Sequence, residues 1–148
     1  MKFRTARIGL FTLDGFVALT AIGGGIALMT GLEGDRFPSD MLRGTPFSSY
    51  LLPGLILAVS VGGSAGVAAV AILRSPPVGA VASLLAGVVM MGWIAGEILL
   101  LDQPSEPTGI EAFYFALGLL MAGVGLLVWQ FERKKRAREV RDAPARRD

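Results

Sequence analysis

Four stretches of this chain carry no charged residue at all, at positions 15–32, 50–73, 75–96 and 112–131. A soluble fold needs charge on the outward face of every helix, so runs of this length leave few architectures open. The sharpest case is 78–101, VGAVASLLAGVVMMGWIAGEILLL, 24 residues with one charge, Glu97. About 20 apolar residues in helical conformation cross the roughly 30 Å of bilayer hydrocarbon. The expected fold class is therefore an all-α membrane protein: four transmembrane helices in an antiparallel bundle, at about 8–32, 50–73, 78–101 and 111–131. Outer loops at 33–49 and 102–110 and a basic tail at 132–148 complete the chain. At 53% apolar and 18% charged residues, the composition points the same way.

The basic residues set the expected orientation. Lys2, Arg4, Arg7, Arg74, Arg133, Lys134, Lys135, Arg136, Arg138, Arg141, Arg146 and Arg147 all fall on one side of a four-span chain, and only Arg36 and Arg43 fall on the other. Both termini are thus expected in the cytoplasm. An odd number of spans would put the two basic ends on opposite faces, so the charge count supports four crossings independently of hydropathy. MKFRTAR resembles the start of a signal peptide, but the apolar run at 8–32 is too long for one and ends without a small-x-small cleavage site. It is kept as the first helix.

No Cys and no His is present, which removes disulfides, thiol chemistry, the usual haem and transition-metal ligands and the commonest general base. No metal site and no cofactor is expected. Gly-x-Gly patterns such as Gly23 to Gly25 lie inside a span, so a phosphate-binding reading fails on context.

Lipid gives helices no hydrophobic reason to associate, so small residues that admit close backbones are read as packing sites. They are Gly23, Gly24 and Gly25 in the first helix, Gly62 and Gly66 with Ala65 and Ala69 in the second, Gly79, Ser83, Gly87 and the pair Gly92 and Gly96 in the third, and Gly118, Ala122 and Gly125 in the fourth. They serve either one chain or the contacts of a homo-oligomer. In the first outer loop Ser39 is placed to cap a short turn, and Thr45-Pro46 is a candidate start for the second helix. Pro53 is expected to cost a backbone donor, and Arg74-Ser75-Pro76-Pro77 to join two helices as a hairpin.

Glu97 lies five residues before the outer end of its helix. An acid inside a span is by default a functional candidate that needs a partner. Arg43, Arg36 and Tyr50 are the candidates, with Ser48 as a further donor. Trp93 at i−4 and Met90 at i−7 share the face of Glu97 and would line an outward-facing pocket with it. The plainer reading has Glu97 pin the loop to the bundle, with Trp93 in an aromatic belt. Asp14, the other acid within a span, is read as a structural anchor reaching the interface or Arg7, favoured in early turns by the helix dipole. Phe113, Tyr114, Phe115, Trp129 and Phe131 match aromatic belts. The tail, with eight basic residues against four acids, suits an anionic leaflet, at about 1 kcal/mol per basic group. Nucleic acid is not an expected partner.

The run GTPFSSYLLPGLIL at 44–57, followed by Gly92, Trp93 and Glu97, resembles a group of small four-helix bacterial membrane proteins. The resemblance implies a fold and a membrane compartment and carries over no catalytic residue. The expected function is a non-enzymatic, multi-pass protein of the bacterial cytoplasmic membrane, an accessory subunit bound to a membrane protein partner or the holder of a lipid-like ligand. The alternatives are a small oligomeric transporter or channel using Glu97, and an enzyme acting on a lipid or isoprenoid with Glu97 as acid or base and Asp35 or Asp40 assisting. The Ala-, Gly- and Arg-rich, Lys-poor composition points to a high-GC bacterium.

Overall fold

A computed structural model describes residues 2–32, 34, 38–100 and 109–142. Among them the chain is helical without strands. It comprises α1 (Lys2–Thr30), a 3-10 turn (Ser39–Leu42), α2 (Leu51–Arg74), α3 (Pro76–Leu100) and α4 (Gly109–Asp142). All four long helices are long and apolar enough to cross a membrane. Glu33, Asp35 and Arg36, and the expected loop over 102–108, lie outside the described residues.

α1 stops where Gly31 turns left-handed (φ +74°) and the Leu32 N–H returns to the Ala27 carbonyl at 3.0 Å, a helix end that glycine makes without steric cost. The loop that follows departs from expectation twice. Ser39 begins the 3-10 turn rather than capping it; Pro38 occupies the cap position and no side chain bonds there. Thr45 does not start α2 either. Its hydroxyl donates to the Leu42 carbonyl at 2.8 Å and accepts the Phe47 N–H at 3.2 Å, so the threonine is spent on a local turn and the helix begins at Leu51. Pro53 consequently falls in the first turn of α2, where no helical N–H partner exists to be lost. The irregularity comes one turn later, as a π-helical turn at Leu57–Gly62.

Close contacts at glycines fix the direction of each helix against the next. Running up α2, Gly54, Gly62 and Gly66 meet Gly25, then Ile22 and Ala18, then Ala18 of α1 in falling order. Gly87 and Gly118 lie face to face, while Gly125 meets Ala80 and Leu84, so α3 and α4 are likewise antiparallel. A Cβ at Gly54 would stand 2.6 Å from the Gly25 carbonyl, and one at Gly87 would stand 2.5 Å from that of Gly118, so these pairs admit no side chain. α2 and α3 form the expected hairpin, Gly79 packing on Ile72 across the link. The result is a four-helix bundle whose core is rich in alanine: Val17, Ala18, Ala21, Val61, Ala65, Ala68, Ala86, Met90 and Met121, with a second cluster of Leu10, Ile72, Ala80 and Val128 near the α2–α3 link.

The outside of the bundle is apolar. Leu19, Val67, Leu99 and Leu119 are all more than half exposed, which suits lipid and not water. α4 exceeds its neighbours: 34 residues at 1.5 Å each give about 51 Å, so its basic turns from Glu132 onward project beyond any bilayer its apolar part crosses. Arg133 covers the Trp129 ring at 4.6 Å at that boundary.

Candidate functional site

The inward seam of α3 organises the polar interior. Ser83, Gly87, Met90 and Ile94 are buried and Glu97 half-buried, at spacings of four and three that keep them on one side of the helix. Ser83 and Glu97 therefore mark the two ends of one seam, about 21 Å apart along the axis.

At the end of the bundle that carries the two longer loops, Glu97 lines a pocket of about 180 Å³. α3 supplies Gly92, Trp93, Gly96, Glu97 and Leu100; α2 adds Pro53 and Ile56; Leu28 comes from α1, and Phe47 and Tyr50 from the loop. The Tyr50 hydroxyl donates to the Pro38 carbonyl at 3.1 Å, which ties the ring to the loop. Burial first, and then the Glu97 carboxylate, hold this phenol above its ordinary pKa, so it stays neutral beside the acid.

Of the residues expected around Glu97, the structure brings Trp93 and Tyr50 to the pocket and leaves Met90 and Arg43 out of its lining. Met90 is 2% exposed, one layer below, inside the core. Arg43 pairs with Asp40 at 2.9 Å, both side chains largely in the open. Arg36 lies outside the described residues. The glycines beside Glu97 also differ from their expected role. A Cβ at Gly92 or Gly96 would meet no atom within 4 Å among the described residues, so within one chain this pair makes no helix contact; it borders the pocket. Phe47, Leu28, Pro53, Ile56 and Leu100 are pocket residues that the sequence did not single out.

At the other end of the seam Asp14 is fully buried, and the Ser83 hydroxyl donates to its Oδ2 while Oδ1 has no hydrogen-bond partner among the described residues. The expected contact with Arg7 is replaced: the Arg7 guanidinium donates to the Ile72 carbonyl at 3.3 Å. Asp14 shares the buried stripe of Leu10, Val17 and Ala21, which aims it at α3, and Arg7 sits two turns, about 10 Å, below. Ser83, read from sequence as a small packing residue, is the partner instead.

Among the described residues no three potential metal ligands come together. No family model, no curated protein and no solved structure matches the chain. The site's chemistry therefore rests on the residues themselves. They form an apolar, aromatic-lined space with one carboxylate on its wall.

Proposed function

We propose that this is a non-enzymatic, multi-pass protein of the bacterial cytoplasmic membrane, both termini cytoplasmic, which holds a lipid-like ligand at the loop end of its bundle. The observation that carries the reading is the pocket around Glu97. Apart from Glu97 its walls are apolar and aromatic, it is bounded by α1, α2, α3 and the loop before α2, and it lies where an amphiphile's head would meet the edge of the hydrocarbon. The exposed basic turns of α4 serve as contacts to anionic lipid headgroups.

The rival readings find less support. A transporter needs a route between the two acids, and the seam between Ser83 and Glu97 is filled by Gly87, Met90 and Ile94, all buried. An enzyme using two carboxylates needs a second acid beside Glu97, and among the described residues none lines the pocket. The test is native mass spectrometry of the protein released from its own membrane in mild detergent. A retained small molecule supports the ligand reading; a stoichiometric protein subunit with no small molecule would make the chain an accessory subunit instead.

A further inference from the structure

We infer that the end of the bundle opposite the pocket binds a lipid whose headgroup carries two phosphates, held between Arg7, Arg74 and Arg133. The inference deepens the reading that this end faces an anionic leaflet, and it does not depend on the pocket around Glu97.

The first observation is convergence. Leu10, Ile72 and Val128, from α1, α2 and α4, meet in one buried cluster. Arg7 stands three residues before Leu10, while Arg74 and Arg133 stand two and five residues after Ile72 and Val128 on helices that run the other way. At 1.5 Å per residue all three arginines therefore lie about 3–8 Å beyond the cluster, on the same side of it, at the level of the α2–α3 link. Ile8, Leu73 and Val78 are exposed at that same end and offer acyl chains a surface beside the headgroup.

The second observation is the missing countercharge. Among the described residues none of the three arginines forms an ion pair. Arg7 is half-buried, its Nε enclosed and without an acceptor among those residues. Its bond to the Ile72 carbonyl uses one of the five N–H donors of a guanidinium and covers the negative end of the α2 dipole, but supplies no full negative charge. The nearer acids do not supply one either. Asp14 takes its hydrogen bond from Ser83, about two turns further in, and Glu132 adjoins Arg133 in sequence without pairing with it. Arginine is also the side chain whose planar fork takes phosphate oxygens in pairs.

The third observation fixes the number of phosphates. Arg7 is tied to a carbonyl of α2, and Arg133 is held over the Trp129 ring at 4.6 Å, so the two guanidinium groups are anchored on different helices. Packed helix axes stand about 8–10 Å apart, too far for one phosphate to pair with both. Two phosphates on a short linker span that distance, and the exposed Arg74 reaches the nearer one. Basic sites between spans at the cytoplasmic surface take headgroups of this kind.

The experiment titrates the full chain, delipidated in mild non-ionic detergent, with cardiolipin, phosphatidylglycerol or phosphatidylethanolamine of the same acyl chain, and counts bound lipid by native mass spectrometry. One cardiolipin per chain, at least about fivefold tighter than phosphatidylglycerol, is expected, because each basic group engaged by a phosphate is worth about that factor. Arg7→Gln and Arg133→Gln should each weaken it about fivefold, whereas Arg138→Gln, which removes the same charge farther along α4, should leave it unchanged. Phosphatidylglycerol binding as tightly as cardiolipin would overturn the inference, and so would equal losses in Arg133→Gln and Arg138→Gln, which would mean diffuse attraction to the basic turns. Displacement of the lipid by millimolar inorganic phosphate would assign the site to the free ion and overturn the lipid as its ligand. Arg133 and Arg138 are both exposed, so their comparison decides the matter even if Arg7→Gln fails to fold. Gly96→Leu alters the opposite end and should leave cardiolipin binding unchanged, so this site and the pocket can fail separately.

Discussion

The Ser83 hydroxyl of α3 donates a hydrogen bond to the Asp14 carboxyl of α1 across the interior of the bundle, in a region where neighbouring helices offer only small and apolar side chains. It is a polar tie between two helices that otherwise touch little. Ser83→Ala removes the only donor to Asp14 among the described residues and leaves a buried acid with neither oxygen satisfied by them, a loss of about 1–3 kcal/mol. Removing both groups, in Asp14→Leu with Ser83→Ala, should cost less than the single changes predict together. Unfolding in mixed detergent checks both expectations; strict additivity would mean the two groups do not interact.

The glycines of α3 should divide into two classes. Gly87→Ala drives a Cβ to 2.5 Å from the Gly118 carbonyl and must push α4 away, with an expected destabilisation of about 1–3 kcal/mol. Gly96→Ala meets nothing and improves helix propensity, so it should be neutral or stabilising by up to about 1 kcal/mol. Thermal unfolding of the two variants side by side is the measurement, and equal losses would contradict the distinction.

Orientation is open to direct test because the chain has no cysteine, so any introduced thiol is unique. Ser48→Cys, on the exposed face of the first loop, should react with a membrane-impermeant reagent on intact cells. Arg138→Cys, in the exposed basic turns of α4, should react only after the membrane is opened. The reverse pattern would invert the topology, and labelling of both from outside would break the four-span count.

How much of this was legible in the sequence follows from what each feature depends on. Charge-free runs report helices directly, because a span cannot hold unpaired charge, and the four long helices lie over those runs. The i−4 spacing put Trp93 beside Glu97 because neighbours on one helix are set by geometry alone. Partners on different helices were not legible. Asp14 finds Ser83, 69 residues away, and nothing local distinguishes a serine that packs from one that donates. The same limit applies to glycine: Gly87 and Gly96 look alike in sequence, yet one faces a backbone and the other faces open space. Thr45 misled for another reason, since its hydroxyl satisfies a turn as readily as it caps a helix.

Trp93 gives an optical handle on the pocket. In a Trp129→Phe background it is the sole tryptophan, half-buried on the pocket wall, so a short-chain amphiphile such as 1-octanol should change its emission saturably and Gly96→Leu should remove the response. A response that persists in Gly96→Leu would place the binding elsewhere.

The most direct test of the central claim is native mass spectrometry of the unaltered protein and of Gly96→Leu, each taken from the membrane in which it was made. A small molecule retained by the unaltered protein and lost from the variant, both fully helical, is the predicted result. Bare protein in both cases, or the same molecule held equally well by the filled pocket, would contradict it.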